Sequence, residues 1–194
     1  NIMSTLKVDT ILKRTGTGTI TVGQSGDTVS VPSGASLTVA GSTITAADMG
    51  PAFFATLSAD TNISDDTATK VQCNTEVFDT DNAYDNSTNY RFTPQTAGKY
   101  YVFGYCQINA GTGLLNQFIS QIKKNGSIAA TSESDFPNDK NTRMGKEVSA
   151  IIDFNGSSDY VELFVTGNVQ SGTVQLKSDS GTKTRFGAYR ILGA

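Results

Sequence analysis

Histidine is absent from the 194 residues of this chain. That removes the side chain most used as a general base near neutral pH, and the commonest metal ligand. A serine or cysteine nucleophile paired with histidine is therefore excluded within one chain. Glutamate is scarce too, present only as Glu76, Glu133, Glu147 and Glu162. Paired carboxylates hydrolyse glycosidic bonds without histidine. Here, however, Glu162 alternates with Val161 and Leu163 in a strand-like run, and nothing marks an acid/base pair. The chain reads as a non-enzyme.

Charge is also sparse, at 17% of residues with a net charge of −3. Binding nucleic acid requires a basic stripe that neutralises phosphates. The basic clusters, Lys123-Lys124 and Lys183 to Arg185, are short and read as solvated strand ends. No nucleic-acid partner is expected. No apolar run approaches a transmembrane length, so no membrane insertion is expected either. Asn1-Ile2-Met3-Ser4 leads into Lys7, Asp9 and Lys13 without the apolar core of a secretory leader. Sequons such as Asn62-Ile63-Ser64 and Asn86-Ser87-Thr88 then read as chance products of an Asn/Ser/Thr-rich chain. The two cysteines, Cys73 and Cys106, form no C-x-x-C pair and lie in apolar, strand-like surroundings. They read as buried free thiols, with a disulfide in an oxidising compartment as the alternative.

What is present is hydroxyl, amide and glycine chemistry arranged in two grammars. Residues 15 to 46 lack aromatics and read as short strands divided by glycine: Thr19-Ile20-Thr21-Val22, Thr28-Val29-Ser30-Val31, then Ser36-Leu37-Thr38-Val39. Each alternates polar and aliphatic residues, so one face is apolar and the other hydroxylated. Ile20, Val29, Leu37 and Ile44 recur at about one strand plus one turn. Full burial of each aliphatic contributes at most ~1.5–3 kcal/mol, whereas fixing each backbone residue costs ~1–2 kcal/mol. A single copy is therefore not stable alone, and three copies around one axis would bury the apolar faces. A flexible linker is the alternative. Ala46 to Pro51 marks the boundary, giving a stalk or anchor over 1–46, a linker over 47–52 and a second domain over 53–194.

From Phe53 onward the pattern predicts strands and no helix. They are Phe53–Leu57, Thr69–Cys73, Glu76–Phe78, Tyr90–Thr93, Tyr100–Ile108, Gln117–Lys124, Val148–Phe154, Tyr160–Val165, Thr173–Lys177 and Thr184–Ile191. Such density implies an all-β sandwich of two sheets. The strand after Gly98 is informative, because Tyr100, Val102, Cys106 and Ile108 share one face while Tyr101, Phe103 and Tyr105 share the other. A strand apolar on both faces must be covered on both. In a sandwich only one face meets the core, so the second is expected to meet another subunit.

Phe92-Thr93-Pro94 followed by Ala97-Gly98-Lys99-Tyr100-Tyr101-Val102-Phe103, Asp159-Tyr160-Val161-Glu162-Leu163 and a closing Phe186 to Leu192 carry a resemblance. With Phe53-Phe54-Ala55-Thr56-Leu57, this set resembles the C1q/tumour-necrosis-factor family over Phe53 to Leu192. Asp79, Tyr84 and Phe92 fit a family spacing with one extra residue, and Phe92, Gly98 and Tyr100 fit fully. The chain departs at Val102, where an aromatic is usual, and at Ala188, where glycine is usual. The resemblance implies a jelly-roll sandwich that trimerises and acts by binding. It places Tyr100 and Val102 in the core, Tyr101 toward a trimer axis, and Phe186 and Tyr189 on the neighbouring strand. Short β-repeats ahead of such a head are similar to phage-fibre and virion-surface proteins.

The expected site residues follow. Tyr101, Phe103 and Tyr105, with Ile20, Val29 and Leu37, form the trimer interface. Residues 131 to 147 read as a polar loop whose rigid Phe136, beside Pro137 and near Lys140 and Arg143, offers a contact for partners or glycans. The alternative tucks Phe136 beneath its own loop. Asp79, Asp81 and Asp85 are a weak calcium candidate, since the loop lacks the glycine and bidentate glutamate of an EF-hand and reads better as an Asx-rich turn. No other cofactor is expected. The expected partners are sister copies in a homotrimer, other virion proteins through the N-terminal segment, and a host-surface glycan or protein. The expected location is the virion surface, on tail or capsid. Capsid decoration and a cellular C1q-like binding protein are the alternatives to a fibre.

Overall fold

A computed structural model of the chain describes residues 50–137 and 141–191. Ile20, Val29 and Leu37, expected in a stalk, and Lys140 lie outside the described residues. The described residues are all β. In chain order the strands are β1 (Ala52–Thr56), β2 (Thr61–Ile63), β3 (Thr69–Lys70), β4 (Thr75–Asp79), β5 (Tyr84–Asp85) and β6 (Arg91–Phe92). There follow β7 (Gly98–Asn109), β8 (Leu115–Lys124), β9 (Ser127–Asp135), β10 (Arg143–Phe154), β11 (Val161–Val169), β12 (Val174–Leu176) and β13 (Arg185–Arg190). No helix among them is long and apolar enough to cross a membrane.

Two antiparallel sheets result. The seven-stranded sheet runs β2-β12-β7-β13-β1-β4, with β10 on the free side of β7. The six-stranded sheet runs β5-β6-β11-β8-β9, with β3 also paired to β11. The chain crosses from β7 to the β8–β9 hairpin, back to β10, over to β11, and back to β12 and β13. These crossings between sheets make the jelly roll. The β8–β9 turn is Asn125-Gly126, both at positive φ (50° and 81°), the combination a tight hairpin needs.

An aromatic cluster binds the sheets together. Phe53 on β1 stacks on Tyr84 of β5 at 4.4 Å and on Phe92 of β6 at 4.6 Å, and meets the edge of Phe186 on β13 at 5.1 Å. Tyr100 and Phe154 continue the cluster along β7 and β10. The buried hydroxyls have partners: Tyr84 donates to the Cys73 carbonyl at 2.9 Å, and Tyr100 donates to the Thr96 carbonyl at 2.8 Å. Along β7, Tyr100, Val102, Gly104, Cys106 and Ile108 are buried, while the alternate residues are half-buried. Gly104 is required there because a side chain would meet Leu163, reaching across from β11, at 2.5 Å.

The segment expected to be a loop over 131–147 is mostly strand. Residues 131 to 135 belong to β9, and β10 begins at Arg143. The polar reading failed because β9 is an edge strand, bonded only to β8 and exposed along most of its length, so it carries no apolar alternation. The short β2 and β5 likewise left too few residues for a period to show.

Both cysteines are free and buried. Burial raises the Cys73 thiol well above its ordinary value and pushes Cys106 up to about 12. Native protein should therefore resist thiol reagents at pH 8, and two thiols should titrate on denaturation. Rapid labelling of either in the folded state would contradict this packing. Phe53→Ala should lower unfolding stability by about 3–5 kcal/mol, read from denaturant midpoints, because it empties the centre of the cross-sheet cluster.

Candidate functional site

The outer face of the seven-stranded sheet is where the fold leaves apolar surface without a cover. Residues directly opposite across a strand pair share a face. Tyr101 lies opposite Tyr189 on β13 and Ile151 on β10. Phe103 lies opposite Gly187 and Ser149, and Gly187 in turn lies opposite Phe54, which faces Phe78. The rings form a continuous string, with Tyr189–Tyr101 at 5.5 Å, Tyr101–Phe103 at 5.8 Å, Phe103–Phe54 at 6.3 Å and Phe54–Phe78 at 6.4 Å. Gly187 makes this possible: a side chain there would stand 2.5 Å from the Phe103 ring, which lies flat across β13. Gly145 on β10 serves Tyr105 the same way.

Charge frames the band. On one side Lys99 donates to Asp153 at 2.6 Å. On the other, the Arg185 guanidinium sits 5.1 Å from the Tyr105 ring centre, and Glu147 lies opposite Tyr105 on β10. An apolar centre with a polar rim is the anatomy of a protein interface. In the single chain Tyr101, Phe103, Tyr105 and Phe54 are half-buried, whereas Ile151 is 64% exposed, Phe78 48% and Tyr189 38%. The expected trio is thus on one face. Phe54, Phe78, Tyr189, Ile151 and the two glycines complete it, and only Tyr189 had been placed beside it. Phe54 was legible as a neighbour of core Phe53 in a strand, whereas its partners required the sheet order.

The other expected sites change. Phe136 is buried, 7% exposed, and its N–H donates to the Asn116 carbonyl at 2.7 Å. It is not a surface contact, because the ring joins the buried core cluster. Arg143 is exposed at the start of β10, opposite Asn109.

Among the described residues no group of three or more acidic, cysteine or histidine side chains is arranged to hold a metal ion, and the Asp79, Asp81 and Asp85 carboxylates are instead engaged as hydrogen-bond acceptors. Each is spent on its own loop. Asp79 accepts the N–H groups of Asp81 and Tyr84, and Asp81 accepts the Thr80 hydroxyl. Asp85 accepts the N–H groups of Ser87, Thr88 and Asn89, plus the Asn89 amide. These donors, led by Thr88, hold Asp85 far below the usual carboxylate range. Glu162 is 6% exposed and answers Lys70 across the β11–β3 pair at 2.5 Å.

Solved structures share this architecture. Murine APRIL at pH 5.0 superposes with a TM-score of 0.54 at 10% identity, over 72% of this chain and 98% of that one. Eiger TNF from S. frugiperda does so with a TM-score of 0.51 at 9% identity, over 74% and 93%. No family model matches the sequence, and no curated protein matches it. At these identities the likeness defines the fold, an all-β TNF-type jelly roll.

Asp85 gives this domain an acid sensitivity. Its folded value lies below its unfolded one, so the stabilisation is complete above about pH 4, the unfolded value, and is lost progressively as pH falls from there through the lower folded value. Asp85→Asn should be less stable than the parent at neutral pH and should lose less on further acidification, read from denaturant midpoints against pH. A parallel pair of curves would show that the Asp85 charge does not matter.

Proposed function

We propose that this chain is a homotrimeric, non-enzymatic binding protein of a virion surface. In this reading residues 1–46 form the stalk or anchor, residues 47–52 a linker, and residues 53–194 a jelly-roll head that meets the host. The carrying observation is the string of rings on the outer face of the seven-stranded sheet, continuous and rimmed by charge. Uncovered, those rings leave apolar area in water that a sister copy would remove.

A trimer is the assembly that both the C1q/TNF resemblance and the aliphatic repeats of the first 46 residues favour. In a trimer the stalk strands Ile20, Val29 and Leu37 would share one axis, and the head would hold the three chains at high effective concentration. The lack of histidine and the structural use of Glu162 support a role without catalysis. The reading assigns no cofactor, no nucleic acid and no membrane insertion. Its partners are sister copies, other virion proteins along the stalk, and a host-surface glycan or protein at the head.

Sedimentation at micromolar concentration should give three times the mass of one chain. Phe103→Glu should reduce that to one, raising the dissociation constant at least a hundredfold by burying an unpaired charge, while leaving the β-sheet circular dichroism unchanged. A wild-type protein that sediments as single chains would remove the trimer. A trimer that binds empty capsids through residues 1–46 and ignores host cells would be a decorating protein in place of a fibre.

A further inference from the structure

A cleft of about 590 Å³ opens at the β5 edge of the six-stranded sheet. Its wall is mostly polar: amides and hydroxyls, the Asp85 carboxylate and one guanidinium, that of Arg91, with Ala83 and Tyr84 beside them. Arg91 points away from the core, since its neighbour Phe92 is fully buried. The guanidinium lies 4.4 Å from the centre of the Tyr160 ring, which fixes its orientation.

Two carboxylates stand directly opposite Arg91, and neither bonds to it. Asp85, its partner on β5, is saturated by the donors of Ser87, Thr88 and Asn89. Glu162, its partner on β11, is taken by Lys70. Arg91 thus makes no hydrogen bond or ion pair through its side chain to any described residue. The same is true of the side chains of Asn82, Asn86 and Thr93 around it. An oriented guanidinium whose acidic neighbours are committed elsewhere is a receptor for a carboxylate, which it can meet with two parallel N–H bonds. The charge of Asp85 close by favours a ligand with a single negative charge over a phosphate dianion. Unpaired amides and hydroxyls around that anchor suit a ligand dense in hydroxyl groups, and the wall has little apolar surface for a greasy one.

We propose that this cleft binds a carboxylated saccharide, its carboxylate on Arg91 and its hydroxyls on Asn82, Asn86 and Thr93. The proposal rests on the reading of this domain as a host-binding head and names the site and ligand class for it. Assembly through the aromatic face would leave the cleft open, because that face and Arg91 lie on the outer sides of opposite sheets.

The test is saturation-transfer NMR on the full chain with methyl N-acetylneuraminate and methyl glucuronide, against methyl glucoside and acetate. At least one acidic sugar should bind in the millimolar range or tighter, and at least tenfold more tightly than methyl glucoside and acetate. Arg91→Gln should weaken it at least tenfold and Asn86→Ala or Thr93→Val a few fold, each with an unchanged melting temperature. Binding of neither acidic sugar overturns the proposal, as does binding that Arg91→Gln and Asn86→Ala both leave intact. Acetate binding as tightly as the sugars would mean a bare anion contact and would also overturn it. Should Arg91→Gln not fold, the two rim variants carry the test. Sedimentation of the same samples reads assembly separately: a sugar-binding monomer sinks the trimer alone, and a trimer blind to both sugars sinks the site alone.

Discussion

Strand β7 is apolar on both faces, and the rest of the molecule arranges itself around that constraint. Its inner row, Tyr100, Val102, Cys106 and Ile108, is sealed by the opposite sheet. Both of its edges are occupied, by β10 along the full length on one side and by β13 and β12 in succession on the other. A strand so enclosed has no free backbone groups to answer to solvent. Its outer row is the one side left, and the neighbouring strands extend that row with Phe54, Phe78, Tyr189 and Ile151 in place of polar residues. The surrounding strands therefore continue the apolar character of the centre.

The two sheets then divide the work. The seven-stranded sheet presents rings outward and carries charge only at the margins of the band. The six-stranded sheet presents charge and amide outward: Asp85, Arg91, Glu162 and Lys123 stand in one cross-strand row of alternating sign, and Lys123 lies over the Phe164 ring at 4.0 Å. In that row every acid has a partner that is not Arg91. One face thus suits association with a like surface, and the other suits a small polar ligand.

Much of the jelly roll was legible because burial on one side imposes a period of two on a strand. Tyr100–Ile108, Gln117–Lys124 and Val148–Phe154 all fall within observed strands, and the aromatic trio of β7 was separable from its core row before any contact was known. Legibility ended where that period is erased. β9 is an edge strand whose inward residues, Ala130, Ser132 and Ser134, are small and only half-buried, so its polar run looks like a loop although it pairs with β8. Phe136 beside a proline looked like a contact point, and the hairpin carried it inward. The aspartates of 79–85 looked like cation ligands, but oxygen count does not say whether the oxygens converge on one point or cap the chain's own N–H groups.

By itself the sequence determined the class of the described domain: an all-β sandwich, without histidine chemistry, holding one strand apolar on both faces. These are properties of residue identity and local alternation, and they survive without any knowledge of who pairs with whom. Only the tertiary structure decided that Phe54, Phe78, Tyr189 and Ile151 join the trio on one surface, that Gly187 lets Phe103 lie flat, and that Arg91 stands unpaired between two committed carboxylates. Those facts depend on register between strands far apart in the chain. A shift of one residue would turn each of these side chains to the opposite face.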